Sequence, residues 1–507
     1  MTQKIVVVGG GTAGWLTALS VKKAYSDFDV TVIESKEIGI LGAGEGSVPQ
    51  LVEFFESLDI SITDLIQNCD ATLKNGIKFT NWNNDNKFYY HGFGTSDNAL
   101  DISAGMSKRT ATYPLLVASL SLNNTINEVD FTEKISENKK APFILKDKNN
   151  KNKISDYEQL ANFSIHFNAT RLADRLKEIG IGREIKVIEN TIKTVSLDSS
   201  NYVSGFVLDN KEVVKCDFVF DCSGFHRLII GKVFNSTWKS YSNILPVDSA
   251  VPFFIDMDDQ IPSYTEAIAM KYGWMWKIPL QNRFGCGYVY DSSLISEADA
   301  IKEIEEFLGY EPVYPRKNKG GFNFNAGCYE ESWINNCIAI GLSSSFIEPL
   351  EATSLWVSVF ALNKLFSGPE WVTTNVPAIR DEFNKMISKT NNEIVNFIYF
   401  HYMSLRKDTE FWSQFSYENA PQELKEKLDL WQHRLPNKDD SQKLWPFSSW
   451  FLIGSGIEYI NKTITNNYID NIKKYNIGLE KYNYFLNYQN YKSSECIDHK
   501  EFLKSLK

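Results

Sequence analysis

The apolar positions change period along the chain, and the changes outline its elements. An apolar run, Ile5 to Val8, gives way to glycines, then to a helical stretch reaching about Tyr25, then to Val30–Ile33. That is a β-α-β order. From Lys186 to Cys222 apolar and polar positions alternate in short runs, as in Tyr202-Val203-Ser204-Gly205-Phe206-Val207-Leu208, which predicts short strands. Phe218-Val219-Phe220 is an apolar strand closed by Asp221. Gly273-Trp274-Met275-Trp276-Lys277-Ile278-Pro279 reads as an aromatic-rich strand that the proline stops. Pro349 breaks any helix before Glu351, so Glu348 to Ser354 should be a constrained turn. From about Ala378 onward the pattern is mainly helical, and an amphipathic tail ends at Lys504. The fold class is α/β. Residues 1–360 form a nucleotide-binding module with inserted segments at about 80–155 and 240–330, and residues 361–507 form a mainly helical substrate module. No repeat of fixed period is present, and the low-complexity stretch Lys146 to Lys153 reads as a solvated loop.

Composition narrows the function. The chain has 507 residues, 43% hydrophobic and 23% charged, which is ordinary globular usage with length for a large core. A net charge of -10 argues against a nucleic-acid surface. No uncharged stretch is long enough to span a bilayer. The N-terminus runs straight into a strand with no signal-peptide pattern. Seven cysteines are scattered without a C-x-x-C pair, which fits reduced thiols in a cytoplasmic protein and no metal site. The 12 Trp, 24 Tyr and 33 Phe suit either extensive aromatic packing or a large apolar cavity, and packing is the commoner cause.

Gly9-Gly10-Gly11-Thr12-Ala13-Gly14 follows the first strand and opens the first helix. Gly9 permits the turn, Gly11 lets a pyrophosphate approach the backbone, and Gly14 lets helix pack on strand. The start of the helix then faces phosphate with its partial positive charge. Glu34 ends the second strand and suits the hydroxyls of an adenosine ribose. These positions predict a bound dinucleotide. Gly42-Ala43-Gly44-Glu45-Gly46-Ser47-Val48-Pro49 is a second glycine-rich loop, and Asp221-Cys222-Ser223-Gly224-Phe225 a third turn. Both resemble segments that meet the cofactor in flavin-binding enzymes, and that resemblance favours FAD over NAD.

W-x-W-x-I-P at 274–279 and Glu348-Pro349-Leu350-Glu351-Ala352-Thr353-Ser354 resemble signatures of the flavin-dependent tryptophan halogenases. The loop at 42–49 resembles their flavin strap. Asn75-Gly76-Ile77-Lys78-Phe79-Thr80-Asn81-Trp82 looks like the segment with their catalytic lysine, and His91-Gly92-Phe93 like their H-x-F. The similarity covers most of the chain and fades beyond about Ile460. It implies a Rossmann-like FAD-binding module of the flavin monooxygenase type. Gly9, Gly11, Thr12, Ala13, Gly14, Glu34, Gly44, Glu45, Ser47, Asp221 and Leu342 would hold FAD. Thr353 and Ser354 would hold halide, and Trp274, Trp276, Ile278 and Pro279 would separate flavin from substrate. His91, Phe93 and Trp450 would bind the substrate, and Lys78 and Glu351 would be catalytic, facing one another across the substrate.

The resemblance further implies that FADH2, supplied by a separate NAD(P)H-dependent flavin reductase, dioxygen and halide yield hypohalous acid, which halogenates an electron-rich, indole-type aromatic. Ser354 stands where the best-known members have glycine, and Ala352 where serine is usual. Bromide and iodide are therefore expected alongside chloride. The tyrosine-tyrosine-glutamate clamp for the amino-acid end of free tryptophan has no convincing counterpart. An aromatic hydroxylase of the flavin monooxygenase class shares the cofactor motifs but gives no reason for the paired tryptophans. A homo-oligomer stays open.

Overall fold

The computed structural model describes residues 2–35, 44–94, 117–123, 131–146, 153–257, 259–315, 319–367, 375–460 and 472–507. The chain divides into two compact units. One comprises residues 1–70, 167–246 and 324–395; the other comprises residues 71–166, 247–323 and 396–507. The two inserted segments therefore group with the C-terminal third. That unit takes its large sheet from the inserted segments, while among the described residues beyond 361 the regular elements are helices, as expected.

The first unit is organised by a six-stranded sheet in the order Lys186–Glu189, Asp29–Glu34, Lys4–Val8, Phe218–Asp221, Cys337–Ala339, Trp333–Ile334. Its first five strands are parallel and the last is antiparallel. Parallel strands need covered faces, which explains the unbroken apolar runs at Ile5–Val8 and Phe218–Phe220. The helix Thr12–Ala24 crosses between the first two strands, and the Gly9 amide donates to the Ile33 carbonyl at 2.8 Å. Helix Ala169–Gly182 packs beside it, with Gly180 so close to the Trp15 ring that a Cβ would lie 3.0 Å from Cε3. The predicted alternating strands form an antiparallel meander, Ile192–Leu197, Val203–Leu208 and Val213–Lys215.

The second unit holds a seven-stranded sheet in the order Phe322–Asn323, Ser249–Asp256, Arg283–Tyr290, Gly273–Pro279, Thr265–Ala269, Gly76–Thr80, Phe88–Gly92. Neighbours are antiparallel except Thr265–Ala269 with Gly76–Thr80. Alternation divides the Gly273–Pro279 strand cleanly. Met275 joins a core with Val251, Phe253, Met270 and Tyr288, while Trp274 and Trp276 take the other face. A short antiparallel ladder pairs Thr72–Lys74 with Ser164–Phe167. Helix Pro377–Tyr402, whose residues up to 395 belong to the first unit, opens with its proline in the first turn, where no amide hydrogen is required. The predicted tail is the helix His499–Ser505.

Candidate active site

In the first unit the glycine-rich turn has the shape a dinucleotide needs. Gly9 sits at φ 115°, and a Cβ there would fall 2.7 Å from the Cys222 carbonyl carbon. A Cβ on Gly14 would meet the Gly9 carbonyl group, at 3.0 Å from its carbon. A Cβ on Gly11 would meet nothing within 4 Å, so space is open beside the first turn of Thr12–Ala24. That combination of tight backbone and open approach fits a pyrophosphate at a helix start. Glu34 lies against Gly10, and Lys177 holds its carboxylate at 2.5 Å while bonding Glu189 at 2.6 Å. Leu342 lies in the turn Gly341–Ser343, whose Gly341 (φ 74°) abuts Ala13, with a Cβ there 2.7 Å from the Ala13 Cβ. Thr12 and Ala13 open the helix as expected.

Gly42 and Ala43 lie outside the described residues. Gly44 adopts φ 87°, Glu45–Gly46 is extended, and Ser47 is fully buried. Burial pushes the Glu45 carboxyl up to about 7. Asp221 is also fully buried, and its carboxylate is committed to its own loop. It accepts from the Ser223 amide and hydroxyl at 3.1 and 2.6 Å, and from the Ile229 and Ile230 amides at 2.8 and 2.9 Å. Asp221 shapes the turn; the backbone of that turn is what remains to face a cofactor.

The constrained turn at 348–354 is present. Glu351 has φ 66°, ψ 9°, and Ala352 has φ 55°, ψ 34°, two consecutive left-handed residues that are not glycine. Each costs on the order of 1–2 kcal/mol, so surrounding contacts must hold them. Glu351 is 3% exposed. Helix Thr353–Phe366 begins at the next residue, with Thr353 buried and Ser354 beside it in the first turn. Among the described residues the Thr353 hydroxyl has no hydrogen-bond partner.

In the second unit Trp274 and Trp276 share one face of their strand, with ring centroids 6.3 Å apart at 62°. Small residues beside them make room: Trp276 is flanked by Ala267 and Gly287, and Trp274 by Ala269. Ile278 continues that face and Pro279 closes the strand, both buried. His91 bonds Ser449 at 2.9 Å. Trp450 is fully enclosed by Phe397, Phe400 and Trp431, with ring centroids at 4.8, 5.5 and 5.3 Å. Trp450 is thus fully buried among aromatic rings.

Lys78 departs from expectation. In the Gly76–Thr80/Phe88–Gly92 ladder Lys78 pairs with Tyr90 and Ile77 pairs with His91. Directly paired residues share a face and neighbours alternate, so Lys78 and His91 lie on opposite faces of the sheet. The Lys78 ammonium bonds Glu137 at 2.7 Å, lies 3.8 Å from the Phe88 ring centroid, and has Tyr264 and Tyr90 at 5.5 and 5.7 Å. Glu137 is 39% exposed and also accepts from Tyr90 at 2.5 Å. The Lys78 ammonium is thus engaged by a carboxylate and three aromatic rings.

Four residues earlier, Lys74 is 1% exposed, and its ammonium lies 5.4 Å from the centroid of Phe93, the expected substrate-stacking ring. The sequence signal was present, two lysines either side of Asn75-Gly76, but which one is interior depends on strand pairing.

A Rossmann-type dinucleotide turn, a strained acidic turn feeding a helix start, and a strand with paired tryptophans together define a flavin-binding α/β halogenase fold. A family model described as tryptophan halogenase matches residues 4–470, and the chain belongs to that family. It is similar to tryptophan 6-halogenase SttH of Streptomyces toxytricini, 31% identical over 469 residues, covering 88% of this chain and 86% of that one. Tryptophan 7-halogenase RebH of Lentzea aerocolonigenes is 31% identical over 483 residues, covering 90% and 89%. The solved structure of SttH superposes with TM-score 0.87 at 26% identity, covering 99% of each chain. The flavin-dependent halogenase Xcc4156 of Xanthomonas campestris superposes with TM-score 0.85 at 25% identity, covering 99% and 98%. Among the described residues no helix is long and apolar enough to cross a membrane.

Proposed function

We propose that this protein is an FADH2-dependent halogenase of an electron-rich, indole-type aromatic, and that its reactive amine is Lys74, in place of Lys78. The observation that carries the reading is a lysine buried beside an aromatic ring in a chain of this family. Gly9, Gly11, Gly14, Glu34, the strap at Gly44–Ser47, the Asp221 turn and Leu342 would hold FAD. Reduced FAD bound there would supply the electrons with which dioxygen oxidises halide to hypohalous acid. Thr353 and Ser354 would bind halide, supported by a buried hydroxyl with no partner among the described residues and by the positive end of a helix. Bromide and iodide should serve as well as chloride.

The indoles of Trp274 and Trp276 would keep substrate apart from cofactor, which disfavours direct hydroxylation. Lys74 would hydrogen-bond the hypohalous acid or carry the halogen as a haloamine. As the halogen leaves oxygen, for the ring carbon directly or for the Lys74 nitrogen first, the Lys74 ammonium supplies the proton that turns hydroxide into water; Glu351 accepts the ring proton and stabilises the cationic intermediate. A separate flavin reductase supplies FADH2, because the sequence shows one dinucleotide fingerprint. Seven buried free cysteines favour a reducing, cytoplasmic setting.

The test is mass spectrometry of an indole panel with protein, FAD, a flavin reductase, NADH and bromide. Wild type and Lys78→Ala should give brominated product, while Lys74→Ala and Glu351→Gln should lose at least about 100-fold of it, as for groups acting in the transition state. A product heavier by one oxygen, formed without halide, would replace the halogenase with a hydroxylase. Retained bromination by Lys74→Ala would remove Lys74 from the mechanism.

A further inference from the structure

Lys74 sits at the end of a three-residue strand, the outer strand of its ladder. So short a strand does little by itself to keep a buried ammonium in one place. The chain around it is nevertheless anchored at nearly every residue by groups from elsewhere in the same unit. The Ala71 carbonyl accepts from Gln281 at 2.8 Å, and the Asn75 amide donates to the Ser263 carbonyl at 2.7 Å. Thr72 and Leu73, the two residues just before Lys74, are each held by a fully buried histidine, His166 and His499.

The hydrogen bonds define the state of both rings. The Thr72 hydroxyl is 2.7 Å from the Pro279 carbonyl, which only accepts, so its single hydrogen is used there. Its oxygen must then accept from His166 Nδ1–H at 2.9 Å. That leaves His166 Nε2 with its lone pair, which accepts from the Thr265 hydroxyl at 2.9 Å. The result is a directed chain, Thr265 to His166 to Thr72 to Pro279, ending on the last residue of the tryptophan strand.

His499 is the mirror case. Its Nε2 is 3.0 Å from the Leu73 amide, which only donates, so Nε2 accepts and Nδ1 carries the hydrogen that goes to the Ile261 carbonyl at 3.0 Å. The ring stands at the open edge of the strand, where a further strand would otherwise bond. His166 is directly paired with Thr72, and Lys74 is two residues along the same strand face. A second positive charge there would be repelled by the Lys74 ammonium. Full burial, Lys74 and His499 all hold His166 in the neutral form.

We infer that His166 and His499 are positioning residues for halogen transfer: two neutral imidazoles that clamp the strand on either edge and fix the amine of Lys74. The inference rests on the assignment of Lys74 as that amine. Displacing a reacting group by about 1 Å is enough to cost on the order of 100-fold in rate.

The experiment measures, in one reaction with FAD, a flavin reductase, NADH and bromide, both indole bromination and the hypobromous acid captured by a diffusible β-diketone trap. His166→Leu, His499→Leu and Thr72→Val should lose about 100-fold of arene bromination while trap bromination and bound FAD stay near wild type. His166→Gln and His499→Gln keep one donor and one acceptor and should recover to within about tenfold of wild type. Thr72→Val is nearly isosteric and serves if either leucine variant fails to fold. An unchanged ratio of arene to trap product in Thr72→Val and the leucine variants would overturn the inference, as would glutamine variants no better than leucine. Lys74→Ala run alongside separates the two ideas. Its retained activity defeats the amine assignment, whereas its loss with indifferent histidines defeats only the clamp.

Discussion

Gly287 is the position where one added methyl group tests the tryptophan arrangement most directly. It lies opposite Trp276 in the antiparallel ladder, and the indole folds over it. A Cβ at Gly287 would fall 2.7 Å from Trp276 Cε2 and nearer still to Cζ2 and Cη2. Carbon atoms rest at about 3.5–4.0 Å, so the ring must retreat by more than about 1 Å. It has little room, being 8% exposed and stacked edge-on with Trp274. Overpacking of this kind costs about 1–3 kcal/mol.

With a urea dependence of about 3 kcal/mol/M, Gly287→Ala should lower the midpoint by up to about 1 M. Tryptophan fluorescence should shift as the indole moves. If Trp276 keeps substrate from cofactor, oxygenated product should rise at the expense of halogenated product. Trp276→Phe in the same chain removes the clashing atoms. The double variant should therefore be more stable than the sum of the single effects by about 1 kcal/mol or more. Strict additivity, together with a wild-type midpoint and product ratio for Gly287→Ala, would refute the packing argument.

Three other outcomes are expected. Burial lowers the His499 pKa from 6.5 to about 4. Its neutral form therefore stabilises the fold fully above about pH 6.5, and this contribution of about 3 kcal/mol is lost as pH falls towards 4. Urea titrations across that range should show a shallower decline for His499→Gln than for wild type, and parallel curves would contradict the assignment. Lys177→Met releases the Glu34 carboxylate and should weaken FAD binding about three- to tenfold by fluorescence titration, the scale of a partly exposed ion pair; unchanged binding would deny it a role. Asp221→Ala strands the amides of Ser223, Ile229 and Ile230, and should cost at least about 3 kcal/mol and most bound flavin. A thermal shift and FAD content near wild type would show the turn to be self-supporting.

Motifs whose meaning is local were legible in the chain. A glycine turn between an apolar strand and a helix can do few other things, because positive φ and close approach are properties of the residue itself. The break at Pro349 likewise announced a constrained turn, although the left-handed backbone of Glu351 and Ala352 is seen only once folded. Aromatic richness and the stop at Pro279 identified the tryptophan strand, while its two faces appeared only with the sheet.

What the chain alone could not rank was Lys74 against Lys78. They are four residues apart with similar neighbours, and strand pairing decides between them: it buries the first and turns the second toward Glu137 on the face away from His91. His166 and His499 were equally illegible, being 94 and 426 residues from the atoms they hold. The burial of Trp450 among Phe397, Phe400 and Trp431 was equally unreadable, because an indole in sequence carries no label of exposure. Local conformational preference is written residue by residue, so the flavin-binding α/β class and its family were determined by sequence. Burial and hydrogen-bond partnership are properties of pairs brought together only by the fold, and these decided which lysine is interior and which histidines bond the strand that carries it.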